Sequence, residues 1–198
     1  MTSLQWTSQD LLGLPDNGKR YEIIKGELYM SRQPHYNHQV VCNQVGFLLK
    51  TWSRQTNAGS VYPAPGIIFA DDDDVAPDVV WISKARAEVA LEADGKLHLA
   101  PELVVEVLSP GNATEKRERE VKLKLYSRRG VSEYWLVSWP KRQLELYQRN
   151  PEELALELVQ TLFEKDTLKS PLLPGFSCQV WELFEDVIVI PEENNDSK

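Results

Sequence analysis

Two acidic residues interrupt apolar segments of this sequence. Asp78 follows Pro77 at the start of DVVWI, and Glu106 lies inside LVVEVL, 28 positions further on. An ionised carboxylate in a buried strand costs several kcal/mol unless a partner compensates its charge. If the two strands are neighbours, their carboxylates converge and require a cation between them. Because a hard divalent ion prefers oxygen ligands, the pair predicts a Mg²⁺ site that Mn²⁺ could also occupy.

A third acid, Glu27, lies beside Gly26 between two short β-rich segments, RYEIIKG and GELYMS. These segments predict a hairpin whose turn brings Glu27 toward the same point. Each acid taken alone has a simpler interpretation, since an Asp after Pro caps turns and a Glu at a strand edge pairs with Arg. The combination of the three favours a site with an auxiliary acid at Glu27.

The elements that must position these acids form a strand, helix, strand unit. ELVVEVLS is a continuous apolar run that predicts a central strand covered on both faces, and EYWLVS predicts another. Between them, Thr114 predicts a helix N-cap and Gly130 its left-handed stop. Such a crossover implies parallel strands. A second helix is predicted from His38 to Trp52 by its apolar spacing.

Composition predicts one ordinary globular domain over residues 1–190, followed by a disordered polar tail over 191–198. No signal peptide or membrane span is visible, so we expect a cytoplasmic protein with no membrane partner. The two cysteines, Cys42 and Cys178, lie in apolar contexts and predict core residues. Two histidines, His35 and His38, lack the helical i, i+4 zinc spacing and predict cap or surface roles, and a contact of His38 with a phosphate stays open. The run 71–74 predicts a solvated acidic turn.

Charge is distributed unevenly along the chain. The net charge of −8 argues against a protein that coats nucleic acid. Residues 116–149 nevertheless contain ten basic and four acidic residues, a net charge of +6, whereas the rest has twelve basic and twenty-six acidic residues, a net charge of −14. The basic segment fits either a surface that guides a phosphate backbone or a solvated helix flank.

The order of these features resembles the PD-(D/E)XK nuclease superfamily. The segments RYEIIKGELY, PDVVWI, PELVVEVLSP and YSRRGVSEYWLVS are more specifically similar to the Uma group of restriction-endonuclease-like proteins. The resemblance covers about residues 20 to 150. It implies an α/β fold with a restriction-endonuclease-like mixed β-sheet flanked by helices, a DNA substrate, and Asp78 and Glu106 as metal ligands. The backbone carbonyl of Val107 is a further candidate ligand.

One position departs from the superfamily motif, which requires a lysine two residues after the second acid. Leu108 occupies that position. The following helix could supply the lysine, and Lys122 is the first candidate because Glu118 and Tyr126 lie four residues to either side on one stripe. Lys124 is the second candidate. For both, an exposed helix lysine is the simpler interpretation.

Two functions remain open at this stage. The first is a divalent-metal-dependent DNA endonuclease in which Asp78 and Glu106 hold Mg²⁺, Glu27 assists and Lys122 orients the attacking water. The alternative is a catalytically inactive nuclease-fold module that binds nucleic acid or protein, which the missing lysine and the negative net charge favour. Cleavage of both DNA strands would suit a homodimer, although no dimer face is identifiable from the sequence.

Overall fold

The computed structural model describes residues 5–15, 17–31, 33–109, 115–150, 152 and 154–188. The predicted N-cap at Thr114 and the predicted disordered tail over 191–198 lie outside the described residues. The single domain over 1–190 stays a prediction.

A six-stranded mixed sheet forms the centre of the fold. Its spatial order is β10-β9-β8-β7-β6-β3, and β7 pairs with β8 in parallel while every other neighbouring pair is antiparallel. The parallel pair is the one joined by the predicted crossover helix. The strands are β3 (Gly59–Pro63), β6 (Val79–Ser83), β7 (Leu103–Leu108), β8 (Glu133–Ser138), β9 (Gln143–Arg149) and β10 (Leu156–Phe163).

Two smaller sheets accompany the central one. The first has the order β2-β1-β5-β4 and contains the predicted hairpin, whose turn has positive φ at Lys25 and Gly26. The second is the antiparallel pair of β11 and β12. Their strands are β1 (Arg20–Ile24), β2 (Glu27–Ser31), β4 (Ile67–Ala70), β5 (Asp73–Val75), β11 (Thr167–Lys169) and β12 (Ser177–Gln179).

Helices cover both faces of the central sheet. They are α1 (Ser8–Leu11), α2 (Tyr36–Thr56), α3 (Lys84–Ala90), a π-helix (Arg117–Lys122) that continues directly into α4 (Leu123–Arg129), and a 3₁₀-helix (Val180–Phe184). The predicted left-handed stop of α4 is confirmed, since Gly130 has φ of 89°. The π-helical turn was not predicted, because nothing in residue periodicity distinguishes it from an α-helix.

Alternating residues of the central strands divide the core into two layers. Val105 and Val107 face α2, where they pack with Val41, Val45 and Leu49. The other face packs against α4 and the small sheet through Val104, Leu108, Tyr126, Tyr134 and Leu136. Both faces are therefore covered, as continuous apolar strands require. The predicted α/β fold, a mixed sheet flanked by helices, is confirmed.

Only the first half of the acidic run at residues 71–74 is the predicted solvated turn, which Asp71 and Asp72 form. Asp73 and Asp74 lie in β5 and are only 1% and 5% exposed. Because β5 pairs with β1 on one side and β4 on the other, these side chains are enclosed and need partners. Arg129 Nε donates to Asp73 at 2.9 Å, and Lys96 Nζ donates to Asp74 at 3.1 Å.

No helix among the described residues combines the length and the apolar character that crossing a membrane requires.

Candidate metal centre

The carboxylate of Asp78 lies where the central sheet narrows. The pairing of β6 with β7 stops at Val79 and Val105, whereas β7 continues to Leu108. The Val107 N–H beyond this point donates to Asp78 Oδ2 at 2.8 Å. Asp78, which immediately precedes β6, therefore lies beside the backbone N–H of Val107, the residue that follows Glu106.

Glu106 is enclosed on the α4 face of the sheet, between Val104 and Leu108. Its Oε1 accepts hydrogen bonds from Lys122 Nζ at 2.8 Å and from the Tyr126 hydroxyl at 2.6 Å. The side chain is only 3% exposed. The partner that a buried glutamate requires is therefore a lysine supplied by the crossover helix.

Lys122 ends the π-helix and is 2% exposed. Besides Glu106, its ammonium contacts Glu22 Oε1 at 3.1 Å and Glu118 Oε2 at 3.3 Å. The predicted stripe is present, because Glu118 and Tyr126 lie on the same side of the helix as Lys122 and both reach this cluster. Lys124 is exposed and is not among the residues that line the cleft described below.

The structure does not bring Glu27 to the cluster. Glu27 is exposed beside the hairpin turn, where its carboxylate accepts from the Tyr29 hydroxyl at 2.8 Å. Glu22, five residues earlier in β1, takes the expected place and is 1% exposed. Alternation along the strand explains the difference, since Glu22 shares a face with Ile24, which belongs to the α4-side core. That alternation was the signal for Glu22 in the sequence.

These groups line a cleft of about 590 Å³. Among the described residues that line it, four carboxylates face three permanent cations. The carboxylates are Glu22, Asp78, Glu106 and Glu118, and the cations are Arg20, Arg117 and Lys122. The acids come from β1, the β6 entry, β7 and the π-helix. Their excess negative charge favours a further cation or a bound proton.

The pKa shifts in the cluster follow from burial and charge. Burial alone raises the pKa of Asp78, but the hydrogen bond and charge of His38, the charge of Lys122 and the Val107 N–H together lower it to about 2. Burial raises the pKa of Glu106 well above its usual range. The Lys122 charge opposes this rise, while the nearby Glu118, Asp78 and Glu22 charges add to it. Burial lowers the pKa of Lys122, but the surrounding carboxylates outweigh that effect and raise it.

The donor set fits a hard divalent ion. Glu106 Oε2 accepts no hydrogen bond from the described residues, and Glu106 lines the cleft. The Val107 carbonyl points to the same side of β7 as its N–H, which is the side of Asp78. Carboxylate and carbonyl oxygens are the ligands that Mg²⁺ and Mn²⁺ accept. Asp78, Glu106 and Val107 could together hold such an ion.

Comparison with known proteins identifies the family of this chain. Residues 8–181 match the profile of the Uma2 family, described as "Putative restriction endonuclease". The chain belongs to the Uma2 family. The fold is similar to a crystal structure from Anabaena variabilis ATCC 29413, described as "a putative nuclease belonging to DUF820". That likeness has a TM-score of 0.71 and 17% identity, and it covers 90% of this chain and 97% of the other.

A second solved structure is the type IIG restriction endonuclease BpuSI. Its TM-score is 0.41 and its identity is 16%, over 78% of this chain and 16% of that chain. No match was found among curated protein sequences. The profile match shows the family, and the likeness to the Anabaena structure shows the fold.

His38 of this Uma2 member is buried beside Asp78, so its predicted cap or surface role is wrong. His38 is 7% exposed, and its Nε2 lies 3.1 Å from Asp78 Oδ2. Its Nδ1 lies 3.5 Å from the Cys42 Sγ. The spacing of His38 and Cys42, i and i+4 on α2, was the signal for this contact. His35 does cap α2, as predicted, by accepting from the Asn37 N–H.

The basic segment divides between the cleft and other ion pairs. Arg117 and Lys122 line the cleft. Arg119 instead pairs with Glu115 and Glu145, and Arg129 pairs with Asp73. The local positive charge is therefore partly neutralised within the protein, and only two of these basic residues border the acids.

Proposed function

We propose that this protein is a divalent-metal-dependent DNA endonuclease that hydrolyses phosphodiester bonds. The observation that carries the proposal is the convergence of four buried carboxylates and one buried lysine on a single cleft. Buried acids in excess of cations are unfavourable in a merely structural core, because uncompensated charge is expensive to desolvate. Family membership supports the reaction class.

In the proposed site, Asp78, Glu106 and the Val107 carbonyl hold Mg²⁺. When bound, the ion supplies Lewis-acid activation of the scissile phosphate and lowers the pKa of a water molecule. Lys122 keeps its proton beside the carboxylates and orients the nucleophilic water by hydrogen bonding. Tyr126 fixes Glu106 Oε1, so the remaining oxygen stays directed at the cleft.

Leu108 occupies the position at which the superfamily motif has a lysine, and this leucine is compatible with the proposed site. Leu108 is 3% exposed and packs in the α4-side core on the same face as Glu106. A lysine there would enter the space that Lys122 reaches from the helix. The ammonium is thus supplied from a different element, and its distance of 2.8 Å to Glu106 meets the requirement for a hydrogen bond.

Arg20 and Arg117 are the groups proposed to receive the DNA backbone. Both line the cleft, and Arg20 contacts Asp78 Oδ1 at 3.4 Å with 38% of its side chain exposed. A guanidinium at the mouth of an acidic cleft offsets the repulsion between phosphate and carboxylates. Mn²⁺ as a substitute ion, a homodimer and a cytoplasmic location stay predictions.

A second candidate function is a binding module that keeps the nuclease fold without turnover. The observation that favours it is the set of contacts around Lys122, whose ammonium is already bound by three carboxylates. A lysine held in this way also serves as a structural ion pair. Such a module would bind DNA or protein at the cleft but would not require a metal ion.

Metal titration distinguishes the two functions. Mg²⁺ and Mn²⁺ should raise the melting temperature of the native chain, with about 2.7 kcal/mol of stabilisation at one hundred times the dissociation constant. The same chain should then cleave supercoiled DNA only when the ion is present. The Asp78→Asn, Glu106→Gln double variant should lose both effects, and the exposed-acid control Glu27→Gln should keep them. A native chain that binds DNA but neither responds to the ions nor cleaves DNA would establish the binding module.

A further inference from the structure

Beside the acidic cluster lies a second group of ligating side chains that the proposed cleavage reaction does not use in full. His38 and Cys42 lie on one face of α2, one turn apart, and Asp78 approaches them from the start of β6. One ligand atom from each residue lies within 4.8 Å of the other two. The group offers a nitrogen, a sulfur and an oxygen.

We propose that His38, Cys42 and Asp78 form a binding site for a thiophilic transition-metal ion, of which Zn²⁺ is the best match, and that this ion inhibits the enzyme by withdrawing Asp78 from the Mg²⁺ site. The inhibitory consequence rests on the proposed nuclease function, whereas the binding of the ion does not.

The donor chemistry selects against Mg²⁺ at this second group. Imidazole and thiolate ligands bind Zn²⁺ far more strongly than they bind Mg²⁺ or Mn²⁺. Three protein ligands with a fourth position open to water are typical of zinc sites that are not purely structural. His38 and Asp78 both line the cleft, so the fourth position faces water.

The three side chains lie close enough to share one ion after a local rearrangement. Zinc bond lengths of about 2.0 to 2.3 Å place ligand atoms roughly 3.5 Å apart in a tetrahedral complex. The Sγ to Nδ1 and Nε2 to Oδ2 distances already have values of 3.5 and 3.1 Å. His38 contacts its two neighbours through different ring nitrogens, and an ion binds only one of them, so the ring must turn or a neighbour must move before all three residues share one ion. The negative excess of the adjoining cleft favours the incoming charge.

One feature opposes binding and sets its pH dependence. Burial raises the pKa of the Cys42 thiol, and the nearby Asp78 and Glu106 charges raise it further. The ion must therefore displace the thiol proton, which weakens binding at low pH. Cys178, the other cysteine, is buried in the α2-side core and does not belong to the group of His38, Cys42 and Asp78. It provides a matched control.

Cobalt spectroscopy tests the site without any DNA. Co²⁺ added to the full chain should produce the near-ultraviolet absorption of a cobalt–thiolate bond, and Zn²⁺ should abolish it stoichiometrically. The absorption should survive in Cys178→Ser and disappear in Cys42→Ser and in His38→Ala. Absence of the absorption in the native chain, or its persistence in folded Cys42→Ser, would overturn the proposal. Co²⁺ bound only at the oxygen-rich Mg²⁺ site gives no thiolate band and would count as absence.

Inhibition is tested separately with Mg²⁺ present. Cys42→Ser should cleave DNA as fast as the native chain but require at least tenfold more Zn²⁺ for half inhibition, whereas Cys178→Ser should remain as sensitive as the native chain. Equal sensitivity of all three would overturn the inhibitory role. A thiolate band in a chain that never cleaves DNA would leave the zinc site standing and refute the nuclease function. Cleavage without the band would do the reverse.

Discussion

Two groups of buried acids in this protein are neutralised in different ways. Asp73 and Asp74 in β5 each receive their own basic partner, Arg129 and Lys96 respectively, and Asp73 also accepts from the Lys25 N–H. The cleft instead has four carboxylates around three permanent cations, with Lys122 shared by three of the acids. Burial alone therefore does not separate the two groups of acids, whereas the ratio of carboxylates to permanent cations does.

The largest effect should follow from removing the proposed ligands. Asp78→Asn or Glu106→Gln should lower the cleavage rate by about 10³-fold, equivalent to roughly 4 kcal/mol of transition-state stabilisation. The metal-free stability of Glu106→Gln should not fall, because burial disfavours the charged carboxylate and the repulsion from Glu118, Asp78 and Glu22 adds to that cost, which together outweigh the attraction of Lys122. Single-turnover cleavage and urea unfolding provide the two measurements. If Glu106→Gln were less stable than the native chain but fully active, Glu106 would have a structural role like that of Asp73 and Asp74.

Loss of the buried ammonium should affect both activity and stability. Lys122→Met should reduce cleavage by about 10²-fold, the usual contribution of a group that orients or transfers a proton. It should also destabilise the protein by about 3 kcal/mol, because three carboxylates lose their shared partner. The exposed-lysine control Lys124→Met should change neither quantity. Unchanged stability in Lys122→Met would show that the cluster neutralises itself by proton uptake.

Asp73→Asn should produce the opposite pattern from Glu106→Gln. The substitution weakens a pair whose arginine is 30% exposed, so the expected loss of stability is about 2 kcal/mol, less than for a fully buried pair. The cleavage rate below the melting transition should stay at the native value. Thermal unfolding and a cleavage assay at low temperature check both. A specific loss of activity in the folded variant would break the distinction between the two groups.

Metal affinity should depend on pH through Glu106. Its folded-state pKa is raised, so between the unfolded value of about 4.3 and the folded value the folded carboxyl keeps a proton that the unfolded chain releases. The stability of the metal-free chain therefore falls as pH rises through this window. Mg²⁺ must displace the same proton, so its affinity should rise by up to about tenfold per pH unit. Calorimetric titration at several pH values should show a flat profile for Glu106→Gln.

The smallest effect is expected at the mouth of the cleft. Arg20→Ala should weaken DNA binding a few-fold and reduce the slope of log affinity against log salt by about one, as expected for one lost phosphate contact. Lys84→Ala, which removes an exposed cation outside the cleft, should leave the slope unchanged. Fluorescence anisotropy over a range of salt concentrations is sufficient. Equal slopes would move the DNA path away from Arg20.

The sequence predicted the elements whose signals are local. The apolar strands around Asp78 and Glu106 and the crossover helix were recognisable from composition and capping, and the helix stripe pointed to Lys122. Glu27 was predicted from its position beside Gly26, whereas alternation along β1 indicates Glu22. The face to which β1 turns depends on its pairing with β5, which is a contact distant in sequence.

The partners of Asp78 were the least predictable part of the site. Its contact with His38 spans 40 positions and its contact with Val107 spans 29. Both depend on the pairing of β6 with β7 stopping at Val79 and Val105 while β7 continues to Leu108, which no residue preference in the sequence specifies. The same limit applies to Asp73 and Asp74. The acidic composition of residues 71–74 predicts solvent exposure, but strands β1 and β4 enclose these two side chains.

The π-helix between Arg117 and Lys122 makes the arrangement of the cleft sensitive to chain length as well as residue type. Each residue of a regular helix advances the side-chain direction by about 100°. A wider turn lets Glu118 and Lys122 face the acids while Leu125 of α4 still packs in the core. Deletion of a single exposed residue, such as Glu120, would restore regular helical winding. Either the cleft residues Glu118 and Lys122 or the core residue Leu125 would then turn away from their present contacts. A deletion that changes no cleft residue would therefore dismantle the cleft, and insertions or deletions in this turn should be selected against more strongly than substitutions at its exposed positions.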